Sequence, residues 1–125
     1  MTIGLIGTKL GMTREFIQSG QSVPVTVIKI ETGRVIDIID KEKRGYSAIK
    51  IGYFKTKNSK LTKQMKGFFT KKNTEPKKIL KEYRVDSTES YKTGNELGLE
   101  ILKDKKFVDV KSKTIGKGFA GAMKR

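Results

Sequence analysis

Val23-Pro-Val-Thr-Val-Ile-Lys-Ile30 reads as a strand, and with Val35-Ile-Asp-Ile-Ile39 and Ala48-Ile-Lys-Ile-Gly-Tyr53 it decides the fold class. All three are short and rich in β-branched residues, which suit a pleated, half-buried surface better than a helix. Upstream, residues 3–12 form a fourth such run. Ser19-Gly20, Thr32-Gly33 and Arg44-Gly45 lie between the runs and tolerate positive φ, so the front half reads as an antiparallel meander. Strand character returns at 79–85, 97–102 and 107–110, with Asp86-Ser87 and Gly94-Asn95 as turns. A β-barrel is the natural closure, because it leaves no strand edge unpaired.

Residues 54–78 break this pattern. They carry many lysines and a single acid, Glu75, while Leu61, Met65, Phe68 and Phe69 recur at helical spacing. The spacing predicts a short amphipathic helix within an insertion at about 57–72, its lysines facing outward. Gly67 costs such a helix about 1 kcal/mol relative to alanine, so fraying or a break is expected there.

The chain has 125 residues, enough for one modest core that buries roughly two-thirds of the unfolded surface. Against 13 acids stand 28 lysines and arginines, a formal charge of +15. That excess calls for a polyanion. Nucleic acid is the commonest one, because each phosphate neutralised releases condensed counterions. No apolar run approaches the roughly 20 residues a spanning helix needs. The first residues read as a strand and show no import leader, so use in the compartment of synthesis is expected. Cysteine and histidine are both absent, which removes disulfides, the usual zinc ligands and the usual general base. No metal, cofactor or catalytic residue is expected. The only hints of catalysis are carboxylates such as Asp37 with Asp40, and Glu82 with Asp86, and such pairs are common on ordinary surfaces.

From Lys111 the sequence becomes glycine-rich and basic, with no acid through Arg125. Gly116-Lys-Gly-Phe-Ala-Gly121 has the letters of a dinucleotide fingerprint, but that motif also needs a strand-turn-helix setting and an acid about 20 positions on. A disordered basic tail is the plain alternative. The third reading uses the glycines differently. Backbone at Gly116, Gly118 and Gly121 can approach phosphates closely, Lys111, Lys113, Lys117, Lys124 and Arg125 add charge, and Phe119 can pack on a base or sugar. Near the start, Lys9 and Arg14 stand among glycines on or beside the first strand. Isolated basic residues of that kind are usually just solvated.

Ile3-Gly-Leu-Ile-Gly-Thr-Lys-Leu-Gly-Met-Thr-Arg14, followed by Val23-Pro-Val-Thr-Val-Ile28, resembles the start of the bacterial-type L-three family of large-subunit ribosomal proteins. Leu102, Asp109, Ser112, Thr114, Gly116, Lys117, Gly118, Gly121 and Arg125 fall at the spacing of that family's signature. Gly45-Tyr-Ser-Ala-Ile-Lys50 and Lys81-Glu-Tyr-Arg84 add to the likeness, which covers nearly the whole chain.

The resemblance implies a mainly β fold: a partial Greek-key β-barrel of the translation-protein type in residues 1–110, with one short helix, then the start of a basic extension at 111–125. It implies direct binding near the 3′ end of large-subunit ribosomal RNA, early nucleation of subunit assembly, and neighbours of the L-fourteen and L-nineteen types. The ribosome would be that of a bacterial cytoplasm or of an organelle with its own genome. In that family the chain runs on past the position of Arg125 into the extension's tip and further strands. A second chain completing the barrel, or a longer product, is therefore expected, with weak stability for this chain alone. Two other classes compete on composition: a general nucleic-acid chaperone, and a membrane-surface or partner-binding module built on the amphipathic helix.

Overall fold

A computed structural model describes residues 3–124, arranged as two antiparallel sheets and a short helix. The first sheet is a hairpin of β1 (Gly7–Phe16) and β2 (Ser22–Ile30), turned through Gly20 at φ 81°. The second has four strands: β3 (Gly33–Ile39), β4 (Ala48–Lys55), β5 (Lys77–Arg84) and the two-residue β6 (Glu96–Leu97). Its order is β5-β4-β3-β6, every pairing antiparallel. β6 thus returns beside β3 instead of continuing outward from β5.

β3 and β4 form the centre, where Val35, Ile36, Ile49, Ile51 and Tyr53 are fully buried. Val35 and Ile36 are neighbours buried toward different faces, Val35 opposite Ile51 and Ile36 toward Gly52, because the sheet is covered on both. The register shifts between Val35 and Asp37, which leaves Ile36 as the extra residue. On one face of the sheet, Ile49, Ile51 and Tyr53 pack with Ile3 and Val85. There the Tyr53 phenol donates to the Gly4 carbonyl at 3.0 Å. A Cβ on Gly4 would press on the Tyr83 ring at 3.0 Å. On the other face a Cβ on Gly52 would collide with Ile36 and Lys77.

That second face is met by α2 (Lys63–Lys71), whose Phe69 is buried. Lys50 sits 5.5 Å over the Phe68 ring, and Lys72 pairs with Asp37 at 2.7 Å. Asp37 and Lys50 are register partners, so both contacts belong to one face. Both helix ends are closed locally. The Thr62 hydroxyl accepts from the Met65 N–H at 3.4 Å, and Asn73, in the left-handed region at φ 49°, ends the helix. Thr74 N–H bonds the Phe69 carbonyl and Asn73 N–H the Thr70 carbonyl, the paired bonds of a Schellman closure.

The mainly β reading and the short helix agree with this architecture, and five of the expected strands lie where β1 to β5 are found. Several finer expectations are corrected. α2 runs unbroken through Gly67, because the two caps and the packing of Phe69 outweigh the local cost of one glycine. Gly33 is the first residue of β3 and does not form a positive-φ turn; its lack of a side chain makes room for Ile51 and Tyr53. Arg44-Gly45 does connect antiparallel strands, β3 and β4, with Gly45 at φ 80° as expected, and it ends a single helical turn, α1 (Lys41–Arg44), that the sequence did not announce. At 97–102 only Leu97 is strand, and Leu99–Leu102 coil into a 3-10 turn. Residues 107–110 have no ladder partner, and Phe107, Val108 and Val110 are exposed. Among the described residues the two sheets share no ladder, so they form a partially closed β structure.

Candidate nucleic-acid interface

The β1–β2 hairpin carries Lys9 and Arg14. Lys9 is opposite Ile28 and Arg14 opposite Pro24. Directly opposed residues of an antiparallel pair point to the same face, and Ile28 and Pro24 are an even step apart on β2. Both cations therefore stand on one face, with Met12 opposite Thr26 and Phe16 opposite Ser22 beside them. A regular β1 would have put them on opposite faces. The register shift between Lys9 and Gly11, which makes Leu10 the extra residue, turns them together. Pro24 is tolerated because, among the described residues, β2 pairs with β1 alone.

The same face forms one wall of a groove of about 580 Å³. Lys9, Ile28 and Ile30 line it from the hairpin, and Phe107, Val110 and Lys111 from the opposite stretch of chain. The structure thus brings together two of the residues expected at the site, Lys9 and Lys111, and adds Lys105 at the same groove. Its lining is largely apolar, with Lys9, Lys105 and Lys111 against a single acid, Asp109. Arg14 lies further along the hairpin, outside the lining.

Beyond the groove, Lys113, Gly116, Lys117, Gly118, Phe119 and Gly121 are exposed in chain without regular structure, and Lys124 is in a 3-10 turn, Ala122–Lys124. Arg125 lies outside the described residues. Phe119 is 98% exposed. A Cβ on Gly116, Gly118 or Gly121 would meet nothing within 4 Å, and only Gly118, at φ 72°, has a backbone conformation that calls for glycine. Intramolecular packing therefore does not account for Gly116 and Gly121, in contrast to Gly33 and Gly52 in the sheet.

Among the described residues four acids form ion pairs within the body. Lys50 pairs with Glu82 at 2.8 Å, Lys55 with Glu75 at 3.3 Å and Lys29 with Glu31 at 3.4 Å, besides Lys72 with Asp37. The Lys50 hydrogen bond holds the Glu82 carboxyl below its ordinary range despite partial desolvation, and Tyr46 donates to it at 3.1 Å. Asp37 and Glu82, singled out as possible catalytic carboxylates, thus serve as structural ion-pair partners. Asp40 receives a bond from the Thr88 hydroxyl at 3.4 Å. No group of His, Cys, Asp or Glu able to hold a metal ion is assembled among the described residues. No helix among them is long and apolar enough to cross a membrane.

One set of exposed cations went unread as a site: Lys57, Lys60, Lys63, Lys66 and Lys71, along and before α2. Their run with a single acid was visible in the sequence. The spacing of Met65, Phe68 and Phe69 also gave their outward facing.

No family model matches the chain. A search of curated proteins finds relatives along almost all of it. A large ribosomal subunit protein uL3 of Pelagibacter ubique is 67% identical over 98% of this chain and 52% of its own length. A uL3 protein of Magnetococcus marinus is 44% identical over 100% of the chain and 58% of its own length. A uL3c protein of Gracilaria tenuistipitata is 43% identical, again over the whole chain and 61% of its own length. The chain spans between half and two-thirds of the length of these relatives and, across nearly all of its own residues, matches the uL3 family of large-subunit ribosomal proteins at high identity.

Proposed function

We propose that the chain is a structural constituent of the large ribosomal subunit that binds 23S-type ribosomal RNA directly, near its 3′ end, and acts early in subunit assembly. It has no catalytic chemistry of its own. The observation that carries this reading is the 67% identity, along 98% of the chain, to a protein named for that subunit. The geometry agrees with it: cations gathered on one hairpin face and along one groove, and a flexible-backbone segment whose glycines answer to no internal contact.

In this reading residues 1–110 are the body, with the helical insertion at about 57–72, and 111–125 begin an RNA-binding arm. Lys9, Arg14, Lys111, Lys113, Lys117, Lys124 and Arg125 meet phosphates. Gly116, Gly118 and Gly121 let the backbone come close, and Phe119 stacks on a base or sugar. Neighbouring proteins of the L-fourteen and L-nineteen types, and further strands supplied by additional polypeptide, cover the body's open edges. The exposed Leu10, Met12, Phe16 and Val27 of the hairpin support that last point. The particle is the large subunit of a bacterial or organellar ribosome.

The test is binding of the intact chain to large-subunit rRNA over a range of salt, with unrelated RNA and duplex DNA as competitors. A steep log-log salt dependence is expected, with a slope of about −0.7 to −0.9 per phosphate neutralised, and one protected rRNA region. Equal footprints on unrelated RNAs would instead identify a general nucleic-acid chaperone.

A further inference from the structure

We propose that the outward side of α2 is a second RNA-docking surface, in which a phosphodiester backbone is seated on Lys63, Lys66 and Lys71 and comes close to the helix over Gly67. The inference rests on the RNA-binding reading above and adds a contact surface separate from the hairpin, the groove and the arm.

The helix has two distinct sides. Phe69 is buried, Met65, Phe68 and Lys72 are half-buried, and together they form the side laid on the sheet. Lys63, Lys66, Gly67, Thr70 and Lys71 are all exposed. At 3.6 residues per turn, Lys63, Gly67 and Lys71 follow one another along a single stripe, with Lys66 and Thr70 on its flank. Among the described residues none of the three lysines has an acidic partner, whereas Lys50, Lys55 and Lys72 nearby each have one. Like charges at adjacent turns weaken a helix, so this face is unfavourable for the isolated fold.

Gly67 points the same way. A glycine inside a helix is unfavourable relative to alanine. Here no positive φ calls for it, and a Cβ would meet nothing within 4 Å. Neither conformation nor packing explains the residue. A bare backbone in the middle of three unpaired ammonium groups is what a phosphate chain needs to lie close to all of them. A lipid surface fits less well, because the helix's apolar side chains are turned into the sheet and leave no wedge for a bilayer.

The experiment uses the intact chain and 23S-type rRNA, comparing wild type, Gly67→Ala and a triple variant with Lys63→Gln, Lys66→Gln and Lys71→Gln. The Gly67→Ala variant should melt a few degrees higher while binding rRNA at least several-fold more weakly. The triple variant should lower the salt slope by about 2 to 3 and keep its melting temperature. Wild-type affinity in both variants would overturn this inference and leave the rRNA reading intact. Absence of any rRNA preference in the wild type would overturn both. Tighter capture of the wild type by phosphatidylglycerol vesicles than by rRNA would assign the face to lipid and also overturn the inference.

Discussion

Lys9 and Arg14 stand on the same face of the β1–β2 hairpin because Leu10 is bulged out of the ladder between them. Their odd spacing would separate them on a regular strand. The bulge therefore sets the electrostatic pattern of the hairpin, while the Leu10 side chain itself is 64% exposed and contributes little packing.

Inserting one residue between Val27 and Ile28 of β2 should consequently weaken rRNA binding, whereas Leu10→Ala or deletion of Leu10 should not. The insertion gives Leu10 a partner, restores regular alternation and sends one cation to the far face, while deletion leaves Lys9 and Arg14 an even step apart. Lys9→Gln with Arg14→Gln should reproduce the loss and reduce the salt slope by about 2. Titrations of these variants check this. Equal affinity of the insertion variant and wild type would show that the shared face is irrelevant to binding.

Replacing Lys111, Lys113, Lys117 and Lys124 with glutamine should weaken rRNA association with no more than about 0.5 kcal/mol change in stability, since all four are exposed. Phe119→Ala should likewise leave folding untouched and cost roughly 1–3 kcal/mol of binding if the ring stacks on a base. Glycine substitutions divide in the same manner. Gly52→Ala should destabilise the sheet by about 1–3 kcal/mol through its collision with Ile36, whereas Gly121→Ala should leave the melting curve unchanged. Thermal melts and RNA titrations on the same samples separate the two classes.

Alkaline pH should loosen the body through Tyr53. Burial, followed by its neighbour Tyr83, pushes the Tyr53 phenol well above its ordinary value. Folding favours the protonated form, so this contribution is complete below the unfolded phenol's value near 10 and is lost as pH rises beyond it. Tyr53→Phe should cost about 0.5–1.5 kcal/mol at neutral pH by removing the bond to the Gly4 carbonyl, and should flatten the alkaline decline. At the other end, Glu82 is held low by Lys50, so its contribution is present above the unfolded carboxylate's range and fades as pH falls through the folded value. Its side chain is 38% exposed, which limits that effect to no more than about 1 kcal/mol. Urea melts from acid to alkaline pH measure both.

Hydrogen exchange should be uneven. The amides of Val35, Ile49 and Ile51 lie in the buried centre of the four-stranded sheet and should exchange slowest. The hairpin is exposed along nearly all of β1 and should exchange faster, then slow when rRNA is added. Uniform protection in the free chain would contradict the proposed dependence on partners.

The central strands were legible because Val35, Ile39, Ala48, Ile49 and Ile51 form short apolar runs between turn residues. α2 was legible because Leu61, Met65, Phe68 and Phe69 share a helical face. α1 escaped notice: Lys41–Arg44 is one turn without an apolar residue, so it has no periodicity to read. Leu99–Leu102 was mistaken for strand because a short apolar run suits a 3-10 turn equally well. Of the interface, the glycines and lysines past Lys111 were visible in composition. The groove that joins Lys9 to Lys111 was not, since its walls are far apart along the chain.

By itself the sequence determined the cationic balance, the strand-rich class, the helix and the absence of histidine and cysteine chemistry, all of which follow from local composition and spacing. Only the tertiary structure decided which cations share a surface. One bulged residue reverses the facing of a strand, and folding brings Lys111 to the groove that Lys9 lines. Both outcomes depend on contacts between distant segments, and those are formed only when the chain folds.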